Sequence, residues 1–449
     1  MMRWECTEAK RERVQTNGAE TDGMHADASR RECRVKKKQR NPLFKGTFIP
    51  DVEAHVFSDG KVYFYGSKDV APDVWCSGEY EVFSSEDLQT INGHGTSFSL
   101  DKLPGNRAKY MCAPDCLERD GKYYLYICLE DDSEWVAEGE TPWHFGKASR
   151  VEGARGIDPA VFMDEDGQAY YFWGQFALKG AKLTEDLKGI QRDSVVENIL
   201  TQEEHFFHEG SSIRKRNGIY YLVFADVSRG KRTPYGGTPT CLGYATSENI
   251  FGPYTYRGVI IDNIGCDPQT WNNHGSIECI GGQWYVFYHR STCGSRFLRR
   301  CCCEKIFFRE DGSIGEVKMT SSGASDFLDA AAEMDASFFC YLRGNCFIDA
   351  LSSPETLRNI SHGDSAVIRY LSFDKNCRMI LKGQGEADLK VTASDAAGCD
   401  QILFEGRISL HGQEETFAVA PLTGVYEIRF TFGRPQDFSL CKIKFEQSK

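Results

Sequence analysis

Polar and apolar positions alternate through most of the chain beyond residue 48, in short runs punctuated by Asp-Gly, Asn-Gly and Gly-Gly pairs. Five units share one form: DGKVYFYGS at 59–67, DGKYYLYIC at 120–128, DGQAYYFWG at 166–174, NGIYYLVFA at 217–225 and GGQWYVFYH at 281–289. Each couples a tight-turn pair to an alternating aromatic and β-branched strand, which is hairpin chemistry. The turn glycines Gly60, Gly121, Gly167, Gly218 and Gly282 are separated by 61, 46, 51 and 64 residues. That period suits one four-stranded blade per repeat, so five copies predict a five-bladed β-propeller over residues 41–322. A polar stretch at 323–337 reads as a linker. Alternation then returns in SAVIRYLSF, DLKVTAS, QILFEGRISL and GVYEIRFTF, predicting a jelly-roll-like β-sandwich over 338–449. The expected fold class is all-β.

A second apolar strand precedes each hairpin and is expected to be the innermost of its blade. A residue opening that strand should stand at the mouth of the central channel. Asp51, Asp158 and Glu209 lie nine residues before Gly60, Gly167 and Gly218, and His274 lies eight before Gly282. Three blades thus offer a carboxylate at one equivalent position and a fourth offers an imidazole. Singly, each would read as a turn residue; together they predict convergence on one axis. Asp115, six before Gly121, reads as blade structure or support for a substrate shelf.

Composition narrows the class. Residues 1–40 hold 11 Lys/Arg against 7 Asp/Glu and few large apolar side chains, and are expected to form a charged, weakly ordered tail. The net charge of −12 argues against nucleic-acid or anionic-membrane partners. No apolar run is long enough to span a bilayer and no export signal is seen, so a cytoplasmic location with reduced thiols is expected for the 18 cysteines. Adjacent strand residues face opposite ways, so Cys301, Cys302 and Cys303 read as inert packing, as do Cys112 and Cys116.

Three carboxylates around a channel suit glycoside hydrolysis with inversion. One donates a proton to the leaving oxygen and another removes a proton from water across a gap of roughly 6.5–9.5 Å. A third, close to the acid, raises its pKa through like charge.

The segments NPLFKGTFIPDVEAHVFSDGKVYFYGSKD, APDCLERDGKYYLY, GIDPAVFMDEDGQAYYFWG, FFHEGSSIRKRNGIYYL and WNNHGSIECIGGQWYVFYHR resemble, in order, glycoside hydrolase family 43. The resemblance implies a five-bladed propeller and inverting hydrolysis that removes arabinose or xylose from hemicellulose-derived oligosaccharides. The α-L-arabinofuranosidase and β-xylosidase types both stay open. It implies Asp51 as general base, Asp158 as pKa modulator and Glu209 as general acid. His274 corresponds to an axial histidine that in many members stands beside a calcium or a water cluster; its alternative is a histidine that fills the channel. No cofactor is required, and a structural calcium in the channel is the single metal implied. Arg296 resembles a last-blade arginine that reaches the sugar or the carboxylates, with Arg299 or Arg300 as alternatives.

Trp75, Trp143, Trp173 and Phe207 are candidate sugar platforms, core packing being the other reading of each. Cys112 stands where a tryptophan often precedes Ala-Pro-Asp, which leaves subsite preference open. The C-terminal domain faintly resembles a family 6 carbohydrate-binding module but has no tryptophan after Trp284. The competing classes are a non-catalytic sugar-binding propeller and a hydrolase of another glycoside, such as a galactoside or arabinan. A retaining fructan hydrolase and a protein-interaction propeller lack their expected segments here.

Overall fold

The structure is a computed structural model that describes residues 40–447 apart from 231–239 and 268–270. The expected N-terminal tail, Arg40 excepted, lies outside the described residues. Five antiparallel sheets follow one another along the chain. Blade one is β1 (Glu53–Val56), β2 (Val62–Tyr65), β3 (Glu79–Ser85) and β4 (Asn92–Ser99); blade two is β5 (Met111–Arg119), β6 (Lys122–Leu129), β7 (Ser133–Gly139) and β8 (Ala148–Arg155). Blade three is β9 (Ala160–Met163), β10 (Ala169–Trp173) and β11 (Lys179–Lys182); one helical turn, α1 (Gln202–His205), leads into blade four. Blade four is β12 (Phe207–Arg216), β13 (Ile219–Asp226), β14 (Cys241–Ser247) and β15 (Thr255–Ile261), and blade five is β16 (Ser276–Ile280), β17 (Gln283–Thr292) and β18 (Ser295–Ile306).

All five turn glycines take positive φ, between 74° and 85°, and an added Cβ would meet nothing within 4 Å. Backbone conformation, not space, demands glycine there. Asp120, Asn217 and Gly281 also have positive φ, so these three hairpins carry the two left-handed residues of a type I′ turn.

Alternation within each strand feeds two separate cores. Tyr63 and Tyr65 pack with Leu125, Ile127 and Trp135 of blade two, while Val62 and Phe64 pack with Phe287 and Cys301 of blade five. Three further cores fill the gaps between blades two and three, three and four, and four and five. Burying a large apolar side chain contributes about 1.5–3 kcal/mol, so the packing between blades is a main source of the ring's stability. The inner strands β1, β5, β9, β12 and β16 neighbour one another in turn, and a parallel bridge from Val52 to Gly275 joins the first blade to the last.

Blades three and five have three strands where four were expected. In blade three, isolated bridges from Gly180 to Val196 and from Leu183 to Ile190 take the outer position. In blade five, residues 41–43 run along β18. Leu43 N donates to the Cys301 carbonyl at 2.9 Å, Cys303 N donates to Asn41 Oδ1 at 2.9 Å, and Asn41 Nδ2 donates to the Cys303 carbonyl at 3.0 Å. The chain's early segment thereby latches the propeller shut.

The second domain is a β-sandwich. Short strands β19 (Leu328–Asp329), β20 (Tyr341–Arg343), β21 (Phe347–Asp349) and β22 (Thr356–Arg358) join two long, bent ones, β23 (Ser365–Ser394) and β24 (Asp400–Gln447). β24 pairs β23 along both edges, as Lys382 shows by facing Glu414 and Lys442. The stretch expected as a linker carries part of this core, since Leu328, Ala330, Met334 and Ala336 are buried in it. No helix among the described residues is long and apolar enough to cross a membrane.

Candidate active site

Asp51 and Asp158 sit two residues ahead of β1 and β9, both with φ of 56°, a conformation that aspartate tolerates better than most residues. Glu209 lies inside β12, where the ladder with β13 shifts register on either side of it. The following Gly210 has φ of 67°, and a Cβ there would lie 2.8 Å from the His274 ring. All three carboxylates line one open cavity of about 420 Å³ at the rim of the propeller, together with Trp75, His274 and Arg296. The four residues placed by the repeat, Asp51, Asp158, Glu209 and His274, thus share one cavity with Trp75 and Arg296.

Electrostatics separates the two aspartates. Asp51 Oδ1 accepts from Arg299 Nη1 at 2.9 Å and Oδ2 accepts from Ser67 Oγ at 2.7 Å. Burial alone would push the Asp51 carboxyl up, but the Arg299 guanidinium, with His289 and His274, overrides this and holds it well below the usual carboxylate range. Arg299 is itself clamped by Asp69, whose two oxygens take Nε and Nη2, each at 2.9 Å. His289 is pushed down to about 4 by burial, aided by Arg299, and so is neutral. Its Nδ1 accepts from Asp51 N at 3.4 Å and its Nε2 meets Asn272 Oδ1 at 2.6 Å.

Asp158 behaves in the opposite sense. Burial, then the charges of Glu209 and Asp51, push its carboxyl well up. Glu209 is half-buried, and Gln175 Nε2 donates to its Oε2 at 2.6 Å. One rim thus presents a carboxylate held ionised and, in another blade, a carboxyl whose ionisation is opposed by burial and by the charge of Glu209.

Two expected platforms are corrected. Trp173 is 3% exposed and packs between blades two and three against Gly156, and Phe207 is fully buried beside Phe224. Both sit on strands whose side chains alternate into inter-blade cores, so neither face reaches the cavity. Trp143 stacks on His94 at 4.6 Å, away from the carboxylates. Trp75 remains, half-buried, with the Arg299 and Arg296 guanidinium carbons 4.8 and 5.4 Å from its ring centre.

Of the three arginines, Arg299 touches a carboxylate, Arg296 lines the cavity, and Arg300 points away to Glu355 at 2.6 Å. Asp115 is structural: it is 1% exposed and accepts from His55 Nε2 at 2.5 Å, Cys116 N at 2.6 Å and Val161 N at 2.7 Å. Cys301 and Cys303 face one core and Cys302 another, as alternation requires. Cys112 departs from the expectation of inert packing. It lines the cavity with Cys76, and their sulfurs are 3.1 Å apart.

Asp69, Ser67, Gln175 and His289 escaped the sequence reading. Each lies where the second strand of a hairpin returns to the rim, a position the same repeat could have flagged. Around His274 the donors do not fit calcium, a hard cation that takes 6–8 oxygens. The ring offers one nitrogen, and the nearest carboxylate, Asp51 at 3.8 Å, already has both oxygens engaged. Deeper in the channel, Glu53, His55 and Asp115 form a potential ligand group. There the Arg214 guanidinium supplies the positive charge, reaching Glu53 at 3.2 Å and Glu278 at 2.9 Å.

Residues 39–314 match the family described as glycosyl hydrolases family 43. A xylosidase/arabinosidase of Thermoclostridium stercorarium is 33% identical over 359 residues, 69% of this chain and 73% of that protein. The solved structure of a family 43 β-xylosidase/α-arabinofuranosidase from a compost metagenome, a calcium-free form with xylotriose, is 27% identical. It covers 63% of this chain and 98% of its own, with a TM-score of 0.55. An arabinoxylan arabinofuranohydrolase of Bacillus subtilis, at 22% identity, shares the fold over 92% of this chain and 99% of its own, with a TM-score of 0.53.

Proposed function

The chain belongs to glycosyl hydrolase family 43, and on that premise we propose that it removes arabinose or xylose from hemicellulose-derived oligosaccharides with inversion at the anomeric carbon. The observation that carries this reading is the opposite poise of carboxyl groups from different blades around one cavity: Asp51 held ionised by Arg299, and Asp158 pushed well up by burial and by the charge of Glu209. The name of the T. stercorarium relative supports the choice of sugars.

In this mechanism Asp51 is the general base. It draws a proton from a water that attacks the anomeric carbon, and Arg299 favours its ionised form. Glu209, reaching the cavity from blade four, is the general acid and gives its proton to the leaving oxygen as the glycosidic bond breaks. Asp158 is the modulator: it and Glu209 repel each other when both are ionised, so one proton stays in that corner. Trp75 offers the apolar face on which a sugar ring stacks, and Arg296 and His274 bind its hydroxyls. No step passes through a metal, and hydrolysis is expected to persist in EDTA.

The test is release of p-nitrophenol from the α-L-arabinofuranoside and β-D-xyloside by wild type and by Glu209→Gln. Loss of a proton donor is expected to lower the rate by about 10²–10⁴, and the first-formed sugar should show inverted anomeric configuration by NMR. An unchanged rate in Glu209→Gln removes Glu209 as the acid.

A further inference from the structure

We propose that Cys76 and Cys112 form an oxidisable dithiol in the wall of the sugar cavity, and that closing it to a disulfide lowers activity reversibly. The two sulfurs are 3.1 Å apart, and both side chains line the cavity that holds Asp51 and Asp158. The backbone beside them is already joined: Ser77 and Met111 form a bridge in which Met111 N donates to the Ser77 carbonyl at 2.9 Å. The pair is therefore held in register by the fold and needs no loop to be carried across the pocket. Cys112 is half-buried, whereas Cys76 is 3% exposed. The accessible thiol and the resolving thiol are thus distinct.

The oxidant is a small disulfide of the glutathione class. The Cys112 thiolate attacks one of its sulfurs, forming a mixed disulfide and releasing one thiol. The Cys76 sulfur then attacks Cys112 Sγ, the protein disulfide forms, and the second small thiol leaves. Two S–H bonds are lost from the protein, and two electrons and two protons end on the two released thiols. The Cys112 thiol is pushed up by its hydrogen bond to Cys76 and by burial, so the reaction should speed up as pH rises.

The link to catalysis is through neighbours. Cys76 Sγ lies 3.8 Å from Arg299 Nη2, the guanidinium that bonds Asp51, and Trp75 is the preceding residue. Bonding distance for a disulfide is about 2 Å, so closure draws Cys76 off Arg299 and shifts the Trp75 turn against β5. A displacement on the order of 1 Å in such a site costs about tenfold or more in kcat/KM.

The test uses the full wild-type chain treated with oxidised glutathione at pH 8.5, blocked with N-ethylmaleimide and digested for mass spectrometry. The expected product is a Cys76–Cys112 cross-linked peptide, two hydrogens lighter than the reduced pair, with kcat/KM down about tenfold and restored by dithiothreitol. Recovery of both cysteines as separate adducts overturns the proposal. Cys112→Ser should show one kcat/KM before and after oxidant, and a tenfold oxidant effect that survives in it overturns the link to this pair. The peptide map is independent of which glycoside is cleaved, whereas the activity arm rests on the hydrolase reading, so the two can fail separately.

Discussion

At Arg299 one guanidinium faces two carboxylates. Its Nε and Nη2 are committed to Asp69, which leaves Nη1 for Asp51. Lysine carries the charge but not the planar fork, so Arg299→Lys can satisfy one aspartate and not both. Burial then acts on Asp51 with less opposition. Its folded pKa rises, and because the base must be ionised, the acid limb of kcat/KM against pH moves to higher pH. A fall of about 10² in kcat/KM is expected with it. A pH–rate profile of wild type and Arg299→Lys checks this, and an unmoved acid limb separates Asp51 from the base role. A second residue-level effect concerns stability. Glu134 is buried, bonds Tyr171, and is pushed up to about 8 by burial. The folded state keeps a proton there that the unfolded chain loses near pH 4.5. Stability from this group is full at low pH and declines as pH rises towards 8. Glu134→Gln should flatten that decline in a series of Tm measurements.

At the scale of the element, the feature that sets the site is the short departure from regular backbone at the head of each inner strand. Gly210 shows the constraint most directly. Its φ of 67° and the His274 ring leave no room for a Cβ, so Gly210→Ala must either turn β12 or push His274 towards Asp51. Left-handed strain and overpacking each cost about 1–3 kcal/mol. The expected outcome is a Tm several degrees lower and a kcat/KM reduced by more than tenfold, read by calorimetry and by p-nitrophenol release. A variant with wild-type values would mean that the register shift around Glu209 absorbs the methyl group. The same local geometry explains which aromatics failed as platforms. The Trp173 and Phe207 side chains, on β10 and β12, are buried in the inter-blade cores, whereas Trp75 lies on the turn between β2 and β3 and stays at the cavity.

At the scale of the whole molecule, the propeller and the sandwich share backbone as well as side-chain contacts. Leu342 N donates to the Gly265 carbonyl at 2.6 Å, Cys293 N donates to Ile348 O at 2.9 Å, and Arg300 meets Glu355 at 2.6 Å. Burial pushes the Glu355 carboxyl up more than Arg300 draws it down, so the pair adds no net stability of its own but is costly to break from one side. Glu355→Gln leaves Arg300 buried without its counter-charge, and a loss of about 1–3 kcal/mol is expected, below the range for a fully buried pair. Calorimetry should show the wild-type transition broadening or dividing as the sandwich uncouples, with kcat/KM changed less than about twofold since Arg300 points away from the cavity.

What the sequence determined by itself is whatever rests on local rules. Turn pairs with positive φ, strand alternation and a period near one blade named the five-bladed propeller and the trailing sandwich. The offset from each turn glycine placed Asp51, Asp158, Glu209 and His274 on one rim, because a repeated unit puts equivalent residues at equivalent heights around an axis. Tertiary structure alone decided the rest. Arg299 rather than Arg296 meets Asp51, because the facing of one strand residue depends on the register of β18 against β17. Residues 41–43 complete blade five, since ring closure joins segments some 260 residues apart. Cys76 and Cys112 meet because blade one packs against blade two, and the opposite poise of Asp51 and Asp158 follows from which charges that packing leaves beside them.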